Sequence, residues 1–311
     1  MSLVTWQEFT AGGRPQGGSI VEDLRDFIEN VSPVDRPALA RFRRSKVATT
    51  FIEWQEDTLA ARAHNATVEG AAFTNPALTT PSRLFAHVQS FAEWGRVTDE
   101  QRLTQHAGLD DMLTYQENKR VQEVMNDIEH ALHRGSSVSG ATSAARQFQG
   151  LLNIFGNETF TSSSGTTLTE LVYGDYIQSF TDNDFDIFPT LTFVNSWLKR
   201  TISLYSTNVT RNVNASDKIQ ILTIERHNTD FGDTFVHYSR DQLRAATRTS
   251  QGNSLVILDP NFFETGWLRS LMSERLSRDG LRDRFQINAM MTLIFRTAKA
   301  GGGATGVVAN I

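Results

Sequence analysis

Two short patterns in the sequence have the residue types of known catalytic or cofactor sites. Asp230-Phe231-Gly232 matches the magnesium motif of protein kinases, but the catalytic loop and glycine-rich strand that phosphoryl transfer also needs are absent. We interpret it as a turn in which glycine takes a positive φ. Gly301, Gly303 and Gly306 have the spacing of a dinucleotide fingerprint after a strand, but the sequence continues for only five residues. Because no helix follows to hold a pyrophosphate, this pattern predicts a flexible tail.

Two histidines are the best candidates for metal ligands. His130 and His133 lie three residues apart on a predicted helix, beside Glu129. The order His-Glu-x-x-His, in which the glutamate acts as the general base of a zinc enzyme, is absent. We therefore predict that both histidines lie on the helix surface and bind no metal.

Other catalytic patterns are also missing. The chain has no cysteine, which excludes disulfides, thiolate zinc sites and cysteine nucleophiles. It has neither the G-x-S-x-G pattern of serine hydrolases nor the G-x-x-x-x-G-K-[ST] phosphate loop. Asp182, Asp184 and Asp186 favour an acidic turn, although the sequence leaves open a hydrolase that uses a pair of carboxylates. The sequence therefore predicts a protein that is not an enzyme, with no catalytic residue, cofactor or metal.

Length and composition limit the class of protein. A chain of 311 residues exceeds what one hydrophobic core usually holds, so we expect two or more lobes. No window approaches eighteen uninterrupted apolar residues, and the first residues lack a basic start followed by an apolar block. We therefore expect no membrane span and no secretion signal.

The charged residues point toward contact between proteins. A formal net charge of -5 argues against tight binding to nucleic acid. Of the 30 basic residues, 25 are arginine, whose planar guanidinium suits protein interfaces. Codon bias in a GC-rich genome would give the same excess of arginine, so composition alone leaves both explanations open.

The first part of the sequence predicts a helix and then a basic segment. Ser19 and Glu22 form a capping box that opens the helix, and Pro33 ends it. A second start signal at Asp35 and Pro37 precedes the most basic cluster of the chain. Its members are Arg41, Arg43, Arg44 and Lys46. This cluster is either a solvated turn or a surface that faces acidic groups of a partner.

Two segments rich in β-branched and aromatic residues predict a long hairpin. Residues 46–59 and 83–98 read as its strands, and about twenty residues without a regular period connect them. Strands of about thirteen residues would reach roughly 40 Å, longer than a lobe of this size needs for its own core. The hairpin would carry Phe51, Trp54, Phe85, Phe91 and Trp94. Because such an arm is an aggregation hazard when exposed, we expect another copy of the chain to cover it.

The remaining sequence mixes helices and strands. Helical spacing from Leu109 to His133, closed by Gly135, predicts a helix of about 38 Å that could act as a strut. Further helices are predicted at 168–180 and 194–205, and strands at 187–194, 218–226, 233–239 and 254–259. In residues 285–295 every second side chain is strongly apolar, which predicts a long strand with one buried face.

A series of motifs occurs in a fixed order along these elements. The series is Pro33-Val34-Asp35-Arg36-Pro37, then Glu53-Trp54 and Asp57, Asn65, Glu69-Gly70, Gln89, Tyr115-Gln116, Lys119, Asp127-Ile128-Glu129, Arg146, Gly150-Leu151, Thr229 to Gly232, Leu258-Asp259, Leu268-Arg269 and Asp279-Gly280. In this order the chain resembles the major capsid proteins of tailed bacteriophages, whose Johnson fold is shared with herpesvirus capsids and encapsulins. The resemblance extends from about residue 19 to the end. Two positions depart from it: Asn288-Ala289-Met290 replaces a usual glutamate, and Arg282 or Arg284 stands for a basic residue expected after Asp279-Gly280.

The resemblance implies an α+β chain with four parts. These would be an N-terminal arm (1–45), an extended β-hairpin loop (46–98), a peripheral domain with the long strut helix (99–160 and 251–311) and an axial domain (161–250).

The resemblance also implies a function and partners. Hexamers and pentamers would self-assemble into an icosahedral shell around double-stranded DNA, which the subunit would contact weakly and non-specifically. Portal, scaffold and decoration proteins are further expected partners, with assembly in the host cytoplasm and a final location in the virion capsid. The alternative is an encapsulin-type cellular compartment that encloses a cargo enzyme.

Twelve residues are candidates for contacts between subunits. They are Arg14, Arg41, Arg43, Arg44, Phe51, Glu53, Trp54, Asp57, Arg62, Arg83, Phe85 and Trp94. We expect the hairpin aromatics to pack against the strut helix and final strand of a neighbour, and the arm arginines to pair with acidic residues nearby.

Overall fold

The computed structural model describes residues 35–59, 64, 66–72, 80–104, 109, 111–141, 144–155, 165–182, 187–205, 226–229, 231–247 and 250–309. Arg14, Arg62, the helix predicted after Ser19 and the strand predicted at 218–225 lie outside these ranges. The helices are α1 (Pro37–Arg41), α2 (Asp99–Leu103), α3 (Met112–Arg134), α4 (Leu151–Ile154), α5 (Glu170–Asp182) and α6 (Ser196–Leu204). The strands are β1 (Arg43–Lys46), β2 (Phe51–Glu56), β3 (Ser82–His87), β4 (Gln89–Thr98), β5 (Thr167–Leu168), β6 (Leu191–Val194), β7 (Arg226–Thr229), β8 (Gly232–Tyr238), β9 (Asn253–Leu258), β10 (Phe263–Leu276), β11 (Arg282–Phe295) and β12 (Gly301–Ala309).

A four-stranded sheet with the order β1-β10-β11-β4 supports the long helix α3. The predicted alternation in the final part of the chain is confirmed, because Phe285, Ile287, Ala289, Met291 and Leu293 are all buried in β11. Helix α3 is confirmed as well, and its 23 residues extend about 34 Å. Asp111 caps its start, since its carboxylate accepts hydrogen bonds from the backbone N–H groups of residues 113 and 114.

A six-stranded sheet with the order β5-β12-β9-β6-β8-β7 forms the second layer. Its central strands β6 and β9 are buried along their whole length, which explains why both read as continuous apolar runs. Phe193 and Val256 point into the core shared with α3, whereas Val194 and Leu255 point into the core covered by α5 and α6. The two hydrophobic clusters of the described residues therefore meet at the faces of one pair of strands.

The hairpin differs from its prediction. The segment 83–98 forms two strands, β3 and β4, which belong to different sheets: β3 pairs with β2 and β4 pairs with β11. The chain changes direction at Val88, which is buried and donates its N–H to Thr50 O at 2.9 Å. The prediction of thirteen-residue arms is therefore wrong, since the paired strands have six residues and reach about 20 Å. Phe91 and Trp94 lie on β4 and not on the hairpin.

Two further predictions are wrong, and one strand was missed. Residues Gly301–Ala309 are not a flexible tail but strand β12. Gly301 and Gly303 leave room for the ring and the Cβ of Phe155, respectively, and Gly306 takes a φ of 79° at a bulge. His133 is fully buried, because it lies on the face of α3 that packs against the loop after β8. Strand β10 was not anticipated, since two register shifts interrupt its alternation.

The turn predicted around Phe231 is confirmed. Gly232 has a φ of 142°, and a Cβ there would lie 2.9 Å from the Phe188 ring. The strand at 233–239 and the helices near 168–180 and 194–205 are confirmed as β8, α5 and α6, with shifts of a few residues at their ends.

Candidate assembly surfaces

The β2–β3 hairpin has two chemically different faces. Antiparallel pairing places Phe51 opposite His87, Glu53 opposite Phe85 and Gln55 opposite Arg83, so these six side chains share one face. We call it the outer hairpin face. Phe51 is 43% and Phe85 46% exposed, and their ring centroids lie 5.8 Å apart. The His87 ring lies 5.1 Å from that of Phe51, so three aromatic rings form one exposed patch.

The opposite face of the hairpin packs on its own chain. The Trp54 ring stands edge-on to Phe295 with 5.4 Å between centroids, and Ala86 is 3% exposed. Thr297 Oγ1 donates to Glu56 Oε1 at 2.6 Å and ties the strand end to the segment after β11. The structure therefore places Trp54 against the body of its own subunit, whereas Phe51 and Phe85 remain on the exposed side.

Four other predicted interface residues have local partners in the described structure. Glu53 and Arg83 lie 3.6 Å apart across the hairpin, both well exposed. The Arg44 guanidinium lies 5.7 Å from the centre of the Trp267 ring. Asp57 accepts a hydrogen bond from the N–H of Thr58, which caps the end of β2. Arg41 and Arg43 are exposed at the edge formed by α1 and β1, which pairs in parallel with β10.

Trp94, which the sequence analysis placed on the hairpin, lies instead on a second surface. It is 64% exposed on β4 and lines a cleft of about 410 Å³ together with Leu276, Phe285 and Arg282. Leu276 and Leu281, near the turn between β10 and β11, are 40% and 75% exposed. The Asp279-Gly280 pair, with Gly280 at a φ of 64°, was the one sequence signal for this turn.

Ion pairs hold this β10–β11 turn against α2. Asp283 accepts hydrogen bonds from Arg102 and from Arg278 Nε, the latter at 2.7 Å, and Arg278 also bonds Asp99. The hydrogen bond from Arg102, together with the charge of Arg278, lowers the pKa of Asp283 below its ordinary value. These ion pairs, together with the backbone hydrogen bond from Asp99 N to Leu281 O at 3.0 Å, hold the turn against α2.

The D283N variant is expected to be slightly less stable than the parent chain at pH 7. Because the folded-state pKa of Asp283 is lowered, its stabilising contribution is present above the unfolded value of about 3.9 and disappears as the pH falls through the folded value. Urea unfolding at pH 7, 4 and 3 should show the difference shrinking, and added salt should reduce it. D279N is the control, since Asp279 is 68% exposed and 3.6 Å from Arg284. A difference as large at pH 3 as at pH 7 would contradict this role.

The described residues contain one arrangement with the side chains of a serine hydrolase. His133 Nε2 lies 3.0 Å from Ser239 Oγ and 3.3 Å from Glu129 Oε1. In a catalytic triad the serine and the carboxylate contact opposite ring nitrogens, but here both face the same one. His133 Nδ1 faces the Gln242 amide at 3.1 Å. With all three residues buried, this arrangement has the geometry of a structural network.

Neither a metal site nor a membrane helix occurs in the described ranges. Their His, Asp and Glu side chains form no group of three that could hold a metal ion. None of their helices combines the length and apolar composition needed to cross a bilayer.

Solved structures with this architecture are subunits of protein shells. A chain of the cyanophage A-1(L) capsid matches with a TM-score of 0.71 and 11% identity over 93% of this chain and 97% of that chain. A chain of the capsid of a native GTA particle matches with a TM-score of 0.66 and 11% identity over 96% of this chain and 98% of that chain. The SrpI encapsulin from Synechococcus elongatus PCC 7942 matches with a TM-score of 0.57 and 10% identity over 100% of this chain and 98% of that chain. At these identities the likeness shows the fold alone, which is the Johnson fold.

The sequence itself defines the family. The family model of the SU10 major capsid protein matches residues 4–308, and the chain belongs to that family. No curated protein matches the chain. The resemblance inferred from the ordered motifs is confirmed: the chain is a major capsid protein, a structural subunit that self-assembles into an icosahedral shell and forms part of the virion capsid.

Proposed function

We propose that the outer hairpin face is the contact that joins neighbouring subunits into hexamers and pentamers. The observation that carries this proposal is the division of the hairpin: one face packs on Phe295 of its own chain, and the other exposes Phe51 and Phe85 beside the half-buried His87. Aromatic side chains commonly dominate the binding energy of protein interfaces. Glu53 and Arg83 beside the rings would form the polar rim of the contact.

The surface that receives the hairpin would lie along α3 and the four-stranded sheet of the next subunit. A cleft of about 460 Å³ between α3 and β4 is lined by Glu93 and Asp127. Burial, followed by the charge of Glu93, raises the pKa of Asp127, because its charged form is poorly solvated. Glu93 lies 3.6 Å from Arg120 of its own chain. A neighbour's arginine, from the exposed Arg41 and Arg43 pair or from Arg14 or Arg62, would add a positive charge beside Asp127. This proposal keeps the predicted division of the chain into an N-terminal arm (1–45), an extended loop (46–98), a peripheral domain (99–160 and 251–311) and an axial domain (161–250).

The double variant F51S/F85S is expected to fold but to remain unassembled. Loss of one buried interface aromatic costs about 2 kcal/mol, or roughly a thirtyfold weaker contact, and every subunit would lose two. The far-UV circular dichroism should match the parent, since both rings are half exposed within one chain. Negative-stain images and velocity sedimentation should show free subunits in place of shells.

The control for this experiment is F231S. Phe231 has the same exposure, 44%, but lies in the turn between β7 and β8, away from the hairpin. We expect F231S to form normal shells. Normal shells from F51S/F85S would overturn the role of the outer hairpin face.

We further infer that the shell encloses double-stranded DNA, contacts it weakly and has no catalytic activity. The net charge of -5 supports weak contact, and the geometry around His133 supports the absence of hydrolase chemistry. Assembly would occur in the host cytoplasm, with portal, scaffold and decoration proteins as partners. A scaffold-type partner is consistent with the likeness to the satellite phage P4 procapsid, which includes the size determination (Sid) protein (TM-score 0.52).

The encapsulin alternative has less support, because the family model is that of a capsid protein. The likeness to SrpI shows only that the two chains share a fold. Purified particles should contain nuclease-protected DNA. Particles that instead enclose a cargo enzyme would favour the alternative.

A further inference from the structure

The side chain that caps the amino terminus of helix α1 belongs to a different helix, α3. Arg36, which precedes α1, makes no capping bond through its side chain. Instead the Glu129 carboxylate of α3 accepts the backbone N–H of Ala38 at 2.8 Å through Oε1 and that of Leu39 at 2.9 Å through Oε2. Glu129 is 1% exposed. A buried carboxylate thereby satisfies two of the N–H groups that a helix start leaves unpaired.

One turn further along α3, His133 contacts the loop that follows β8. Ser254 Oγ accepts the N–H of Leu243 at 2.8 Å, so its own proton donates to Gln242 Oε1 at 2.7 Å. This orients the Gln242 amide nitrogen toward His133 Nδ1 at 3.1 Å. Because an amide nitrogen only donates, Nδ1 accepts, and the neutral ring carries its proton on Nε2.

That single Nε2 proton faces two acceptors. Ser239 Oγ lies 3.0 Å away in the loop, and Glu129 Oε1 lies 3.3 Å away on the same helix. Glu129 Oε1 also accepts from Ala38, and an oxygen with two lone pairs can serve both donors. The proton therefore has a second acceptor if the loop moves away.

We propose that His133 is a two-position hydrogen-bond switch between the loop at residues 239–245 and the α1-capping carboxylate. With the loop in place, Nε2–H donates to Ser239. When the loop moves from α3, the same proton donates to Glu129, so no buried N–H is left unpaired and α1 stays capped. The loop precedes β9 and follows β8, so this device removes the cost of an unpaired Nε2–H when part of the six-stranded sheet shifts against α3; the bonds from Gln242 and Arg134 would still have to break.

The switch is a property of a single chain, although its use during shell assembly rests on the proposed function. The groups that face the His133 ring in the structure are Glu129 on α3, Ser239 and Gln242 on the loop, and the ring of Phe193 on β6 at 5.2 Å. Phe193 contacts the ring edge-on and offers no acceptor for a hydrogen bond of comparable strength. Glu129 is therefore the alternative acceptor among these groups.

A double-mutant cycle tests the switch in the unassembled full-length chain. S239A removes one acceptor and E129L the other, and each single variant leaves His133 with one acceptor. The S239A/E129L double variant leaves a buried N–H without any. Each single variant raises the equilibrium constant of unfolding by some factor. We expect the factor for the double variant to exceed the product of the two single factors by about tenfold. The lost α1 cap is present in both E129L chains and cancels in the cycle.

The control cycle pairs E129L with R134A. Arg134 holds the same loop through Asp241 O at 2.6 Å and Gln242 O at 3.2 Å, but it makes no bond to the His133 ring. The factor by which the E129L/R134A double variant raises the unfolding constant should equal the product of the two single factors to within about twofold. If the factors for S239A and E129L also simply multiply in the double variant, His133 does not share its proton and the proposal is wrong. If E129L does not fold, E129M, which also lacks an acceptor and is closer to glutamate in shape, replaces it, and hydrogen exchange of the 239–245 peptide measures the same cycle. Because no shell is needed, failure of the hairpin proposal leaves this result unaffected.

Discussion

Alanine at Gly150 is expected to destabilise the chain by about 3 kcal/mol or more. Gly150 lies at the start of α4 and donates its N–H to Gly135 O at 2.8 Å, just beyond the end of α3. A Cβ at Gly150 would lie 2.4 Å from Gly135 N and 2.8 Å from Ala131 O. Both are backbone atoms, so relief would require α3 and α4 to separate. The φ of -83° suits any residue, so the cost is steric and not conformational.

Gly174 provides the matched control for G150A. It lies within α5, and a Cβ there would meet nothing within 4 Å. G174A should therefore stabilise the chain by about 0.5–1 kcal/mol, because alanine loses less conformational entropy in a helix. Urea unfolding of the unassembled chain, followed by circular dichroism, measures both. Equal effects of the two substitutions would show that the α3–α4 contact is looser than the structure indicates.

The second large effect is expected at Phe263, the first residue of β10. Its ring is fully buried and lies 5.7 Å from Phe42, after α1, and 5.8 Å from Phe155, after α4. F263A should cost about 3–5 kcal/mol, since three chain segments would line the resulting cavity. Limited proteolysis should also show faster cleavage near Phe42, because that ring loses its stacking partner.

Two further variants separate this effect from a general response to mutation. F263L keeps most of the volume and should cost less than about 1.5 kcal/mol. F235A removes a ring that is 41% exposed on β8 and should cost about 1 kcal/mol or less. The free energy of unfolding from urea titration provides the comparison. A loss for F263A no greater than that for F235A would exclude the three-ring junction as a main stabilising contact.

The sequence by itself determined the elements whose side chains repeat with a clear period. The strand at 285–295 and the helix ending before Gly135 were both predicted, because the burial of one face imposes a period that local composition records. The ordered motifs also identified the capsid family, which the family model confirms. Residues Arg14 and Arg62, and the helix predicted after Ser19, stay predictions.

Only the tertiary structure decided how those elements pair and which polar residues are buried. Periodicity does not state which strand will be the neighbour, so the break at Val88 and the assignment of Trp94 to the four-stranded sheet could not be read from composition. Gly301 and Gly303 were predicted to lie in a flexible tail because the side chain that requires glycine there, Phe155, belongs to a distant segment. His133 looked like a surface residue because its partners Ser239 and Gln242 are more than a hundred positions away. Long-range contacts of this kind leave no local pattern in the sequence, since each depends on two segments that only folding brings together.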